Sequence, residues 1–181
     1  WWSGAENGLE EAGRKLGIPV YNVPYHQKLL GEQSEAYMGL ADIHQYHPSK
    51  DAFGEADLVL MVGGRLDNQM NFGNPPLFPR SAELVCVNGS HEEVDFNRAA
   101  DVTLLCDPGA FFDALVSLGD AARAGRDGDW FELNRRRRAE WVAKMHADVD
   151  AEAATPEFGG RIHPLHLALD VQYAMQDDDW L

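Results

Sequence analysis

Apolar positions along the chain alternate between helical spacing and short unbroken runs. Leu9, Ala12 and Leu16 recur at i, i+3 and i+7 and predict a helix over residues 4–16, stopped by Gly17 and Pro19. Ser3 and Glu6 ahead of them have the spacing of a reciprocal hydroxyl–carboxylate cap. Residues 18–23 are β-branched and bounded by prolines, which predicts a strand. Residues 24–48 are polar and irregular, and 50–55 read as a short helix. Residues 57–62 (DLVLMV), 83–87 (ELVCV) and 102–106 (VTLLC) read as three more strands. Their unbroken apolarity predicts burial on both faces, as in a parallel sheet covered by helices. They close on Gly63-Gly64, Asn88-Gly89 and Asp107-Pro108-Gly109. A helix with Phe111, Phe112, Leu115, Val116 and Leu118 comes next and stops at Gly119. Strands alternating with helices imply right-handed crossovers and an α/β fold, a Rossmann-like doubly wound parallel sheet.

The pattern changes after Gly119. Residues 120–129 are rich in Ala, Gly, Asp and Arg and read as a linker. Residues 130–154 read as one long helix with sparse apolar positions: Trp130, Leu133, Trp141, Val142, Met145 and Val149. Its basic run Arg135–Arg138 points around the whole helix axis, as a solvated face would. Residues 155–160 form a second linker. Ile162-His163-Pro164 then starts another helix, with Pro164 suited to the first turn, and Asp177–Asp179 ends it. The expected organisation is an α/β domain over 1–119, a connector with a long helix over 120–160, and the start of another α/β domain over 161–181. No internal repeat is present.

Charge narrows the range of functions. Fifteen Lys and Arg face thirty Asp and Glu, a net charge of −15. Such a chain is poorly suited to nucleic acid, where Lys and Arg neutralise phosphates, or to an anionic membrane surface. No apolar run approaches the ~20 residues of a membrane span. The start, Trp1-Trp2-Ser3-Gly4, has no initiator Met and no signal-peptide pattern, so the chain is expected to be a segment of something longer. Cys86 and Cys106 lie inside apolar runs and read as two buried, reduced thiols, which suits a cytoplasmic setting.

Candidate chemistry lies at the strand ends, where open α/β sheets bind ligands. Gly63 and Gly64 would let a ligand approach the backbone, and Arg65 offers a planar donor fork to phosphate. A tight turn with a surface arginine explains them equally well. Asn88 and Asp107, each just past a strand, could take ribose hydroxyls or simply cap the next helix. His44/His47 and His163/His166 have spacings that a metal site could use. Without a third ligand near in sequence they read as ordinary histidines, so no metal ligand is assigned. No nucleophile elbow, P-loop or Cys–His pair is present, and no catalytic residue is assigned.

The order of these pieces is distinctive. A helix leads to Gly17-Ile18-Pro19-Val20-Tyr21 and a loop of roughly 30 residues. Next come Ala56-Asp57-Leu58-Val59-Leu60-Met61-Val62-Gly63-Gly64-Arg65-Leu66-Asp67 and Glu83-Leu84-Val85-Cys86-Val87-Asn88. Asn97-Arg98, Ala100-Asp101-Val102 and Cys106-Asp107 come after them, and then a helix. Over residues 5–119 this resembles the central domain of thiamine-diphosphate-dependent enzymes of the acetolactate synthase and pyruvate oxidase group. Residues 162–181 resemble the opening of that family's thiamine diphosphate-binding domain. The resemblance implies a parent protein, a lyase or synthase (transferase), that uses thiamine diphosphate and magnesium on 2-keto acids or acyl units. The thiamine ylid would be the electron sink. It also implies a cytoplasmic homodimer or homotetramer.

The family's catalytic glutamate lies in a preceding domain and its Gly-Asp-Gly metal motif beyond Leu181, so this segment is expected to be non-catalytic. The family's first central-domain strand, normally just before the first helix, is missing. In that family the central domain holds FAD in some members, ADP or a coenzyme A moiety in others, and nothing in many. Arg65 matches the nucleotide-contacting arginine, and Asp107 the aspartate that closes the last strand pair. Asn88 stands where the family has aspartate. The loop over 26–39 does not reproduce the family's Lys-Gly-x-x-Pro-Glu-x-His-Pro, and after Arg65 only Asp67 and Gly73 keep register. A stand-alone nucleotide-binding module and a purely structural or oligomerisation domain are the rival readings.

Overall fold

The computed structural model describes residues 4–23, 29–42, 47–119, 121, 129–154 and 161–175. The chain divides into two compact units, Trp1–Arg138 and Ala139–Leu181.

In the first unit, helix α1 (Glu6–Leu16) leads to strand β1 (Val20–Asn22) and strand β2 (Tyr37–Leu40). Helix α2 (His47–Glu55) and strand β3 (Leu58–Val62) come next, then β4 (Glu83–Asn88), β5 (Val102–Leu105) and helix α3 (Pro108–Ser117). All strand pairs are parallel, β1 with β2 in one sheet and β3–β4–β5 in order in another. The parallel α/β architecture expected from the sequence is present. The crossovers from β3 to β4 and from β4 to β5 carry single 3-10 turns, Asn68–Gly73 and His91–Glu93, where the alternating pattern predicted helices.

Element ends obey local chemistry. Gly17 takes the left-handed conformation at φ 68° and returns its N–H to Gly13 O, which ends α1 as a glycine C-cap does. Ser3 lies outside the described residues, and the position before α1 is Ala5, which makes no side-chain cap. Strand β2 was not legible: Tyr37-Met38-Gly39-Leu40 is short and lies in a polar stretch. Pairing with β1 and burial of Tyr37 and Met38 fix it.

Two apolar layers cover β3. Met61 joins Leu66, Met70, Leu77, Phe78, Leu84 and Cys86, and Phe53 stacks on Phe78 at 5.2 Å. Val62 packs against the cluster of Ala5, Ala12, Leu16 and Phe112, where α1 meets α3. Neighbouring strand residues point to opposite faces, so these clusters lie on opposite sides of the sheet. The predicted two-faced burial fails for β5, all of which is exposed, Leu105 by 55%. Cys86 is buried as expected, whereas Cys106 is only half-buried.

Arg98 organises the β3–β4 crossover. Its guanidinium donates to the carbonyls of Gly73 (3.2 Å), Pro79 (3.3 Å) and Ala82 (2.6 Å). Asn97 Nδ2 donates to Leu66 O at 2.8 Å. Gly73, at φ +72°, leaves room for this: a Cβ there would stand 2.7 Å from Leu66 Cδ1 and 3.1 Å from Arg98 Cβ. Asp67 caps the 3-10 turn, its Oδ1 accepting from Gln69 N at 2.9 Å. The two positions that keep the family register here, Asp67 and Gly73, are thus both engaged in shaping the loop.

Helix α4 (Asp129–Ala153) begins in this unit. Tyr21 OH donates to Asn134 Oδ1 at 3.0 Å. Arg137 grips both Glu55 carboxylate oxygens, at 2.8 and 2.9 Å. Arg138 pairs with Glu32 and lies 5.1 Å from the Tyr37 ring centre. The solvated-face expectation therefore fails for Arg137 and Arg138, whose side chains are only 21% and 20% exposed. It holds for Arg135, which bonds Glu132 on its own helix.

In the second unit, α5 (Pro164–Ala174) starts at His163, whose Nδ1 accepts from Leu165 N at 3.1 Å. His166 Nε2 meets Asp150 Oδ1 at 2.8 Å. The expected linkers over 120–129 and 155–160 fall largely outside the described residues, as do His44 and Asp177–Asp179.

Packing and burial set two expected stability effects. In an open helix, Gly→Ala adds about 0.5–1 kcal/mol. At Gly13 the new Cβ would stand 2.5 Å from the buried Ala36 Cβ, so Gly13→Ala should instead destabilise by about 1–3 kcal/mol in urea titration. Burial pushes the Tyr37 phenol from 10.0 up to about 12, aided by Glu32 and opposed by Arg138. The folded state keeps a proton that the unfolded chain loses above pH 10.0, so this contribution is intact below pH 10.0 and is lost towards about 12. Tyr37→Phe should flatten that part of the stability–pH curve, measured by denaturation midpoints across it.

Candidate functional site

Because β3, β4 and β5 are parallel and adjacent, their carboxyl ends share one side of the sheet. That places Gly63-Gly64-Arg65, Asn88 and Asp107 together, and all five line one cleft of about 1920 Å³ with Ser90, His91 and Glu93.

The glycines serve a sharp exit from β3. Gly63 has φ +68°, and its N–H still donates to Val87 O at 2.8 Å, so the ladder persists to the turn. A Cβ on Gly64 would stand 3.1 Å from Met61 Sδ and 3.6 Å from Val23 Cγ2. The turn is thus held against the core with its backbone bordering the cleft.

Arg65 is engaged. Nη2 donates to Glu93 Oε1 at 2.8 Å and Nε lies 2.7 Å from Oε2, a bidentate fork. The guanidinium also lies 5.3 Å from the centre of the Phe96 ring. The arginine side chain is 47% exposed, so the pair contributes roughly 0–1 kcal/mol and biases the geometry without locking it. A carboxylate therefore occupies the fork that the sequence offered to phosphate.

Asn88 and Asp107 both act as local caps. Asn88 Oδ1 accepts from Ser90 N at 3.1 Å. Asp107 Oδ1 accepts from Ala110 N at 3.1 Å and caps α3, whose first residue is Pro108. With Asp107 at the helix start and Glu93 on Arg65, the mouth of the cleft carries its own anions. Glu93 and Phe96 escaped the sequence reading, because nothing in a separation of 28 and 31 residues links them to Arg65.

The remaining candidates form no second centre. His163 and His166 engage Glu152 at 3.5 Å and Asp150 at 2.8 Å within the second unit. Among the described residues no group of three His, Cys, Asp or Glu stands where it could hold a metal ion. Burial pushes the Cys86 thiol upward, away from the reactive thiolate. No helix among the described residues is long and apolar enough to cross a membrane.

Comparison with known proteins places this arrangement. The family described as thiamine pyrophosphate enzyme, central domain, matches residues 1–115. A 2-hydroxyacyl-CoA lyase of Arabidopsis thaliana is 23% identical over 186 residues, covering 97% of this chain and 29% of the relative. An acetolactate synthase large subunit of Parasynechococcus marenigrum (strain WH8102) is 24% identical over 169 residues, 93% of this chain and 26% of the relative. That of Cyanidium caldarium is 22% identical over 144 residues, 80% of this chain and 23% of the relative. The chain thus spans less than a third of the length of these relatives. With the family matched from residue 1 to residue 115, most of the α/β unit, the chain belongs to the thiamine pyrophosphate enzyme central-domain family.

Proposed function

We propose that this chain is the non-catalytic central segment of a thiamine-diphosphate-dependent lyase or synthase that joins, cleaves or decarboxylates 2-keto acid or acyl units. The observation that carries the reading is the family match over residues 1–115. Relatives named 2-hydroxyacyl-CoA lyase and acetolactate synthase support the class of chemistry. In this reading residues 1–119 are the central domain, 120–160 the connector and 161–181 the start of the cofactor-binding domain. The parent acts with magnesium, as a cytoplasmic homodimer or homotetramer.

Thiamine diphosphate supplies the electron sink for such chemistry when bound. The described residues do not fit it. They offer no carboxylate group arranged for the magnesium of its diphosphate, and their strand-end arginine is paired with Glu93. No step is assigned to them on that account.

Within the domain, the Arg65–Glu93 pair favours a structural role for the strand-end cleft over a nucleotide site. An FAD or ADP diphosphate would have to displace the Glu93 carboxylate and approach the Asp107 cap. The domain's contribution is then to hold the domains on either side of it in register.

Two measurements check this. The full parent chain should consume a 2-keto acid or 2-hydroxyacyl thioester only with thiamine diphosphate and magnesium added. Cofactor-independent turnover, or none with any such substrate, overturns the proposal. Calorimetry of the 181-residue chain with millimolar FAD, ADP or NAD should show no binding. Glu93→Gln frees Arg65 and should raise any ADP affinity by about 3- to 10-fold, in line with a half-exposed ion pair.

A further inference from the structure

The first unit contains two parallel sheets with a space between them. β1 pairs with β2 and β3 with β4, and no described strand lies between β1 and β3. The cleft of about 1920 Å³ runs from the strand ends down this space, bordered by Val20–Asn22 on one side and Leu58–Val62 on the other. Its upper and lower walls are apolar. Leu9 and Ala12 of α1 line one, and Phe53, Met70 and Phe78 line the other.

The hydrogen bonds of β3 show where its free edge points. Gly63 N–H donates to Val87 O, and Asp57 O accepts from Glu83 N–H, both at 2.8 Å. A strand residue turns its N–H and C=O to the same edge, and the next residue turns them to the other. Val59 and Met61 therefore serve β4. Leu58, Leu60 and Val62 turn theirs toward the cleft, where no described strand receives them. A row of backbone groups facing an apolar space is costly unless paired.

We propose that this cleft is the seat of a further parallel strand, contributed by polypeptide preceding Trp1, giving the order β2–β1–strand–β3–β4–β5. The spacing of the waiting groups is that of a strand partner, which a compact small molecule would not match. The occupant has apolar walls on both faces, so it is an unbroken apolar run of about 5–6 residues. Helix α1 leads into β1, and a right-handed strand–helix–strand unit sets the strand before α1 parallel to the strand after it. Polypeptide is available, because the relatives extend far beyond the matched stretch. The added strand completes the sheet whatever chemistry the parent performs.

Amide hydrogen exchange on the full parent chain tests it. Leu60 and Val62 amides should be protected within about tenfold of Val59 and Met61, whose partners lie in β4. Exchange about 100-fold faster at Leu60 and Val62 than at Val59 and Met61 would leave the edge open and overturn the proposal. Protection that rises with protein concentration would assign the edge to a second copy and overturn it too. In the 181-residue chain, the same two amides should exchange about 100-fold faster than in the parent. Equal protection in both chains would mean that these 181 residues fill the slot themselves, which also overturns it.

Discussion

A parallel strand satisfies its backbone only through neighbours on both edges, and its apolar side chains only through cover on both faces. Everything in the first unit is arranged around meeting that double requirement for β3 and β4. Strand β4 meets it fully, with partners on either side and Leu84, Cys86 and Val87 buried. Strand β3 has cover above and below but one partner, and Leu58 at its start remains 39% exposed. The candidate site inherits its position from the same ladder. Three parallel strands ending together bring Gly63–Arg65, Asn88 and Asp107 to one rim without direct contact among them.

The crossovers show how the fold manages without helices between β3 and β5. A helix would satisfy its own backbone, whereas the irregular loop over 63–82 must find outside partners for its carbonyls. Arg98 supplies them from one guanidinium, whose rigid fork reaches three carbonyls on separate turns. A lysine, with a single point of donation, could not hold the same three. Asp101 does similar work at the base of the ladder, its Oδ2 accepting from Leu84 N at 2.8 Å.

Much of the architecture was legible because its signals are local. Unbroken apolar runs located β3, β4 and β5, and Gly17, Asp107 and Pro164 marked helix ends. What escaped depends on contacts distant in sequence. The segment 37–40 becomes a strand through β1, not through its own pattern. Arg137 and Arg138 look like solvent-facing residues until Glu55 and Glu32, about 80 and 106 positions away, reach them. At the site, the residue types and their common rim were readable from the strand ends. The Glu93 carboxylate on Arg65 was not, and it changes the rim from an invitation to phosphate into a pair already formed.

Strand β5 stands apart in this scheme. It has a single partner, and every residue in it is exposed. Apart from Thr103, which donates to Asp95 at 3.1 Å, it offers few side-chain ties to the rest of the sheet. In energetic terms it is the loosest rung of the ladder. It can peel away and return while β3 and β4 stay in place, so the sheet should open from this margin inward long before the molecule as a whole unfolds.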